Sequence, residues 1–355
     1  MIPDLTLGQG HLDVLRSEAE AILLVGGWYL ADDGRPVAAL EVRLDGTALP
    51  ILLQRLAAPS PDVAQAFPGR TGCEGARFYA RVTTGGAEPQ PGAWVHVVPR
   101  LAGGGRGLGL HALYAPTIAR PDAGSVDSIG GGYELQALEF LRYFVDLCGL
   151  PREGRVLDVG CGIGRMAFGL TGYLTGRAEY LGFDVMPDAI ATARATVGAG
   201  RPRFRFEHVD LANLMYHATG GATATGFRFP VADQWADLVF LTSVITHLRP
   251  RETRHYLQEI GRVLALSGRA LVTAFVFDDE VERLVATGAS TQHFFAWEGS
   301  WTIDRAVPEK AIGFVRDDLE RWIAEAGLTI ERLLPGTWCG RTGGLSYQDV
   351  LVLKR

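Results

Sequence analysis

The run Val156-Leu157-Asp158-Val159-Gly160-Cys161-Gly162-Ile163-Gly164 constrains this chain more than any other stretch. An apolar strand leads into glycines at three alternate positions, and a helix opens near Gly164. Such a strand-to-helix turn must be tight and bare of side chains, so a ligand can lie against its main chain. The familiar pyrophosphate-binding turn spaces its glycines G-x-G-x-x-G at a helix N-terminus. Here the spacing is D-x-G-x-G-x-G, and a carboxylate two residues before the first glycine would repel a phosphate and attract a cation. The pattern therefore points to a zwitterionic, adenosine-bearing ligand rather than a nucleotide phosphate.

At 355 residues the chain is long enough for two domains. A formal net charge of -6 argues against a broad electrostatic grip on nucleic acid. Cys73, Cys148, Cys161 and Cys339 lie far apart with no C-x-x-C pair, which suggests neither a zinc site nor a disulfide framework, so no metal is expected and a reducing cytoplasm fits. The start MIPDLTLGQG has no basic segment followed by an apolar core, and the apolar runs Ala21–Val25 and Ala270–Phe277 are too short to span a bilayer. No secretory signal and no membrane insertion are expected.

From Ala21 to Tyr114 short strand patterns alternate with turn signals. Ile22–Leu30, Val37–Leu44 and Ala48–Gln54 are separated by Asp32-Asp33-Gly34 and Asp45-Gly46, which reads as an antiparallel meander. Ala76–Val82 and Ala93–Val98 continue it, with a short helical turn at Asp62–Phe67, and an N-terminal all-β, sandwich-like domain over residues 1–114 follows. Its aromatics Trp28, Tyr29, Phe78 and Trp94 offer a carbohydrate-stacking platform, but core packing is the favoured reading for them. Residues 115–128, polar and rich in Pro and Gly, read as a linker. Gly130-Gly131-Gly132 then precede a helix with apolar residues at Leu135, Leu138, Leu141, Phe144, Val145 and Cys148, expected to cover the following sheet.

Beyond Arg155, strand and helix patterns take turns. Strands end at Asp184 and Asp210, later ones cover Ala236–Thr242 and Arg269–Phe277, and helices fall at 164–174, 187–197 and 251–264. Such alternation gives a parallel sheet covered on both faces. A helix at 317–326 and strands at 328–334 and 347–353 suit a last strand inserted antiparallel. The stretch Asp278–Ile312 is the least regular and carries Phe294, Phe295, Trp297 and Trp301, as expected of a lid over a site edge. Trp338-Cys339-Gly340 and Tyr347-Gln348-Asp349 are candidates for a far wall.

Asp184 ends the second strand twenty residues after Gly164, where a carboxylate can accept hydrogen bonds from both ribose hydroxyls; a helix N-cap is the competing role. Asp210 ends the third strand, with a turn-forming aspartate as the alternative. His247 follows the fourth strand on the carboxyl edge, where an imidazole can take a proton near neutral pH, or simply shape the site.

With these residues in view, the chain from about Gly130 onward resembles the class I S-adenosylmethionine-dependent methyltransferases. The resemblance is carried by Asp158-x-Gly160-x-Gly162-x-Gly164, Phe229-Pro230 before Asp233, Ala236-Asp237-Leu238-Val239, Ser243-Val244-Ile245-Thr246-His247-Leu248 and the helix Tyr256–Leu264. One departure is Leu266-Ser267-Gly268, where that family usually has Pro-Gly-Gly. The resemblance implies a Rossmann-like seven-stranded, doubly wound α/β sheet over residues 129–355 and S-adenosyl-L-methionine as cofactor. It assigns the cofactor to Asp158, Gly160, Cys161, Gly162, Gly164, Asp184, Val185, Asp210, Leu211 and Ser243, with Asp210 near the adenine amino group and His247 as a tentative general base.

Gly27-Trp28-Tyr29-Leu30, Val42–Gly46, Pro61-Asp62-Val63-Ala64 and Phe67-Pro68 are similar to a small β-sandwich appended to bacterial sugar-modifying transferases. That likeness implies a domain that helps hold the acceptor, with a glycan preferred. The expected function is methyl transfer to a hydroxyl or similar nucleophile on a small molecule or glycan. Two alternatives stand beside it: an NAD-dependent oxidoreductase, against which the glycine spacing argues, and a non-enzymatic carbohydrate-binding or scaffolding protein with a degenerate second half.

Overall fold

The computed structural model describes residues 5–19, 21–86 and 88–355, with Ser128 described by its backbone alone. Met1–Asp4, Glu20 and Ala87 lie outside it, and with them the first residues of the N-terminal stretch and of the connection expected at 87–92. The chain divides into two compact units: Met1–Arg120 with Gly130–Asp146 and Arg165–Leu174, and Pro121–Ile129 with Leu147–Gly164 and Thr175–Arg355.

The first unit is β-rich. Its strands are β1 (Leu5–Thr6), β2 (Gly8–Ala19), β3 (Ile22–Ala31), β4 (Val37–Leu44), β5 (Thr47–Leu49), β6 (Ile51–Ala58), β7 (Arg77–Thr83), β8 (Trp94–Leu101), β9 (Arg106–Gly107) and β10 (Leu110–Leu113), with helix α1 at Pro61–Ala66. One sheet runs β2-β3-β7-β6, and the other runs β1-β9-β8-β4-β5 with β10 on β8. Asp45 and Gly46, both at positive φ, make the expected two-residue hairpin between β4 and β5. The expected meander fails elsewhere: β3 and β4 belong to different sheets, and so do β5 and β6. Asp32-Asp33-Gly34 turns the chain from one sheet to the other instead of pairing its flanks. Strand β2, which turn signals did not mark, is the longest of this unit and pairs β3 from Gly8↔Ala31 to Ala19↔Ile22.

Tyr29, Phe78 and Trp94 are buried and Trp28 packs on Phe67 at 5.5 Å between ring centroids, so these aromatics form core rather than a stacking platform. The helix after the triple glycine, α3 (Tyr133–Arg142, following α2 at Ala123–Ser128), clusters with the strands of this unit through a buried arginine. Arg142 donates to the carbonyls of Gly8 at 2.9 Å and Gly10 at 3.1 Å. A Cβ on Gly8 would stand 2.5 Å from the Tyr29 hydroxyl, so these bare positions let strand, tyrosine and guanidinium share one place. Beyond α3, Asp146 accepts from Arg106 at 2.8 Å and from the Gly109 amide at 2.6 Å. The segment expected as a plain linker thus carries a helix, α2, capped by Asp122, whose carboxylate accepts from the Ser125 amide.

The second unit contains β11 (Arg155–Val159), β12 (Glu179–Asp184), β13 (Phe204–His208), β14 (Ala236–Leu241), β15 (Leu264–Phe277), β16 (Phe295–Trp297), β17 (Ser300–Thr302), β18 (Ile312–Val315), β19 (Thr329–Leu334) and β20 (Asp349–Lys354). Helix α4 (Arg165–Tyr173) falls in the first unit by contacts; α5 (Pro187–Ala195), α6 (Pro250–Val263), α7 (Asp279–Ala286) and α8 (Arg316–Glu325) belong to the second. The central strands run β13-β12-β11-β14-β15-β20-β19, parallel except for β20, which is antiparallel to both neighbours. The winding direction reverses between β11 and β14, as in the expected Rossmann-like, doubly wound sheet of seven strands. Tyr256, Leu257, Ile260 and Val263 of α6 supply the buried stripe of an amphipathic helix to the same core cluster as Leu157, Val239, Val272 and Leu351.

Two expectations change here. Leu266-Ser267-Gly268 is not a turn but part of β15: the register against β14 jumps between Ala236↔Leu264 and Leu238↔Arg269, which leaves Leu266 exposed. The stretch 278–312 is not an irregular lid either. It holds α7, capped by Asp278, and a β16–β17 hairpin that extends the sheet through β18, while Phe294 joins Phe275, Phe277, Trp338 and Cys339 in a buried cluster. All four cysteines are free and buried, and among the described residues no helix is long and apolar enough to cross a membrane.

A pH dependence follows from the β-rich unit. His96 and His111 face each other across β8 and β10 with ring centroids 4.6 Å apart, and Trp94 stacks on both. Burial pushes His96 down to about 4 and His111 well below its ordinary value, so the fold accepts both rings neutral. In the unfolded chain they titrate near 6.5. Stability is therefore full above pH 6.5 and falls as the pH drops toward about 4, with His96 alone contributing about 3 kcal/mol across that window. Urea midpoints followed by tryptophan fluorescence from pH 7.5 to 4.5 should show this slope, and His96→Phe should flatten it; an unchanged slope would clear His96 of the effect.

Candidate functional site

At the carboxyl end of the sheet, loops after β11 and β14 leave the fold where strand order reverses, the place where open α/β sheets form a ligand crevice. The glycine loop is pinned from β12. The amides of Gly160 and Cys161 donate to the Phe183 carbonyl at 2.9 and 3.1 Å, and the Gly162 amide donates to Oδ2 of Asp184 at 2.8 Å. The three glycines do different work. A Cβ on Gly160 would come within 2.5 Å of Val244 Cγ2, which follows β14, so this glycine lets the two loops meet. A Cβ on Gly162 would meet nothing within 4 Å: the backbone there faces open space. At Gly164 a Cβ would press on Ala193 and Val197 at 3.3 and 3.4 Å, so its bareness serves packing beside α5.

Asp158 sits inside β11, opposite Gly182 and Phe240, with 1% of its surface exposed, and it accepts a hydrogen bond from the Tyr180 hydroxyl. The acid before the glycines is therefore turned into the sheet beneath the loop. Cys161 points inward too, against Gly182; burial first, then the charges of Asp158 and Asp184, push its thiol well above the ordinary value and keep it inert. Only the main chain of Cys161 is offered to a ligand.

Asp184 ends β12 and accepts from the Met186 amide through Oδ1 at 2.9 Å, besides Gly162 through Oδ2. Burial raises its pKa, opposed by the amides of Met186, Gly162 and Val185. Each oxygen keeps a second acceptor site, so two more donors can be received side by side. It is not the N-cap of α5: Met186 holds that position, without a side-chain capping bond. The Val185 carbonyl pairs with His208 Nε2 at 3.2 Å. Asp210 lies just past β13 with an exposed side chain bonded to His217 Nε2 at 2.8 Å, a contact that holds its carboxyl below the ordinary range; Leu211 beside it is buried and bridges Ala222.

Two positions follow β14. Ser243 has φ +59, a left-handed conformation uncommon for a residue with a side chain; its amide donates to Thr273 Oγ1 at 2.7 Å and its hydroxyl lies 3.2 Å from Gln348 Oε1. His247 ends a short 3₁₀ turn, Ile245–His247. Its Nδ1 is 2.7 Å from the Glu309 carbonyl, which can only accept, so Nδ1 carries the proton and Nε2 presents its lone pair. The Tyr216 hydroxyl stands 3.2 Å from that Nε2. Burial lowers the His247 pKa, with the Glu309 carbonyl opposing, which keeps the imidazole neutral at physiological pH.

The structure thus gathers the glycine loop, Asp184, Val185, Asp210, Leu211, Ser243 and His247 at the ends of four adjacent strands and withdraws the Asp158 carboxylate and the Cys161 thiol from the surface. Sequence reasoning passed over Asn213, Tyr216 and Thr273. Tyr216 is the only Phe, Trp or Tyr between Phe206 and Phe227, a signal too slight to read without the fold. Trp338 and Asp349, candidates for a far wall, are buried partners: Trp338 Nε1 donates to Asp349 at 2.8 Å.

Metal-ligand chemistry elsewhere is confined by its wiring. His96, His111 and Asp146 of the β-rich unit bring possible ligand atoms within 4.8 Å of one another. Trp94 Nε1 donates to His111 Nδ1 at 2.9 Å, which puts the ring proton on Nε2, and both Asp146 oxygens already accept, so His111 Nε2 is a donor rather than a ligand.

A reversed-order parallel sheet with a bare glycine turn, strand-end acids and a tautomer-fixed histidine defines a ligand crevice at the strand ends of an α/β fold. Residues 156–268, within the second unit, match the family model described as a methyltransferase domain. Among solved structures, a protein of Pyrococcus horikoshii OT3 is 21% identical, covering 62% of this chain and 88% of its own, with a TM-score of 0.42. A TehB-like SAM-dependent methyltransferase of Corynebacterium glutamicum is 18% identical over 65% of this chain and 92% of its own, with a TM-score of 0.39.

The glycines are separable by mutation. Gly162→Ala keeps open space around its methyl and costs only the left-handed backbone, about 1–2 kcal/mol. Gly160→Ala adds a collision with Val244 and should cost at least about 1 kcal/mol more. Urea denaturation of the two variants checks the order; equal losses would mean that Val244 moves aside freely.

Proposed function

We propose that this protein transfers the methyl group of S-adenosylmethionine to a hydroxyl or similar nucleophile on a small molecule or glycan. The observation that carries this reading is the Gly162 backbone, which faces open space while its amide holds the strand-end carboxylate of Asp184. That bare main chain beside an acid with two acceptor sites left suits the amino-acid end and the ribose of such a cofactor. When bound, the sulfonium supplies an already activated methyl group. Gly160, Cys161, Gly162 and Gly164 would line it with backbone, Asp184 would accept the ribose hydroxyls, and Val185, Asp210 and Leu211 would border the adenine. Asp158 would act from beneath the loop through its negative charge, and Ser243 would close the side next to β14.

His247 is the proposed general base. A neutral imidazole whose Nδ1–H is held by a carbonyl carries its lone pair on Nε2, which can accept the acceptor's proton as the new O–C bond forms. The sheets of the first 114 residues pair only among themselves, which supports a module distinct from the cofactor site, and we assign it to the acceptor side. Four free, buried cysteines suit a reducing compartment such as the cytoplasm.

Calorimetry with S-adenosylhomocysteine, run beside NADH, tests the reading. The wild-type protein should bind the former and not the latter; the reverse result would favour a dehydrogenase. Asp184→Ala, checked for folding by circular dichroism, should weaken S-adenosylhomocysteine by about 1.5–3 kcal/mol, the scale of hydrogen bonds to a charged group. His247→Gln should leave that affinity nearly unchanged while lowering kcat/KM about a hundredfold or more. Because the His247 pKa is lowered from 6.5, the acidic limb of the wild-type kcat/KM profile should lie below pH 6.5.

A further inference from the structure

The chain between Asp210 and Phe227 folds back on itself and delivers one side chain to the base. Leu211 bridges Ala222 and Asn213 bridges His217. Asn213 is the hinge of the arrangement: its Oδ1 accepts from the Met215 and Tyr216 amides at 3.0 and 3.1 Å, and its Nδ2 donates to the His247 carbonyl at 2.9 Å. These bonds hold the Tyr216 hydroxyl 3.2 Å from His247 Nε2, with the phenol ring edge-on to the imidazole at 5.0 Å and 86°. Since Nδ1 bears the ring proton, the Tyr216 O–H must be the donor. A phenolic O–H given to the basic nitrogen is the arrangement an acceptor needs just before it loses its proton.

We propose that the natural acceptor is a phenolic hydroxyl that displaces Tyr216 from Nε2 of His247 and takes over the geometry Tyr216 holds. This inference rests on the methyl-transfer reading above. The exchange replaces one phenol O–H···N bond with another, so it carries little hydrogen-bond penalty. Leu214, Met215 and Tyr216 are consecutive and all exposed, an apolar run against which a flat aromatic acceptor can lie. Acidity points the same way: a buried imidazole of lowered basicity matches a phenol better than a far less acidic sugar hydroxyl. In the transfer the phenol oxygen forms the new O–C bond, the S–C bond of the sulfonium breaks with its electron pair passing to sulfur, and the phenol proton moves to His247 Nε2. The imidazolium then returns that proton to solvent.

The test is made on the full chain saturated with S-adenosylhomocysteine, whose binding is first measured by calorimetry. Failure at that step would sink the methyl-transfer reading itself and is distinguishable from failure of the acceptor class. 4-Nitrophenol is then titrated in and followed by its absorbance, with methyl glucoside as the saccharide arm in calorimetry. We expect saturable binding of the phenol and none of the glucoside. Tyr216→Phe, which keeps the ring and removes the competing hydroxyl, should bind the phenol about fivefold or more tightly, and His247→Gln should abolish that gain. Labelled methyl from S-adenosylmethionine should enter the phenol and not the glucoside. Phenol affinity unchanged by Tyr216→Phe, absence of phenol binding, or label entering the glucoside in preference would each overturn the proposal.

Discussion

The hydrogen bond from the Gly162 amide to the Asp184 carboxylate is the contact on which the site depends. It spans two adjacent parallel strands at their carboxyl ends and fixes the loop at a position that has no side chain of its own to hold it. The neighbouring amides of Gly160 and Cys161 secure the same loop to Phe183, so the turn is drawn toward β12 while its other side stays open. A carboxylate buried in this way would be costly by itself; the amides of Gly162 and Met186 offset that cost, and their direction determines where the remaining acceptor sites point.

A second clamp orients His247. The Glu309 carbonyl removes any choice of tautomer at His247, and Glu309 is itself held by Arg249 at 2.8 Å, with the Arg249 guanidinium over the Trp297 ring. The segment that supplies Glu309 comes 62 residues after the histidine and is a short 3₁₀ turn, Pro308–Lys310, between β17 and β18. A region expected to form a lid thus supplies a hydrogen-bond partner that orients His247. Tyr216 approaches from the opposite part of the sequence, so the histidine lies between two elements with separate tasks: one sets its proton and the other occupies its lone pair.

The β-rich unit follows a different logic, in which buried polar groups organise the packing. Arg142 reaches two glycine carbonyls of β2, Asp146 gathers Arg106 and the Gly109 amide, and the neutral histidine pair stacks under Trp94. The hydrogen bonds of Arg142 and Asp146 go to backbone or to a partner far away in sequence. Such a core specifies its arrangement through hydrogen-bond geometry, and it makes the unit sensitive to acid through the two histidines.

The sequence by itself determined the order of strands and helices after Arg155, the antiparallel last strand, the hairpin at Asp45-Gly46 and the grouping of the glycine loop, Asp184, Asp210 and His247 at the ends of successive strands. Those features depend on local periodicity and on residue types that few backbone conformations accept. Tertiary structure alone decided which way the side chains face. Asp158, two residues before the first glycine, and Cys161, between the first two, both turn inward: the carboxylate meets the Tyr180 hydroxyl and the thiol lies against Gly182 of β12. The split of β3 and β4 between two sheets and the pairing of β2 escaped local signals, since pairing partners are chosen by burial across the whole unit. The same holds for Asn213, Tyr216 and Glu309: no periodicity marks them, and their meeting at His247 is fixed by contacts spanning thirty to sixty residues, which only the folded chain brings within hydrogen-bonding distance.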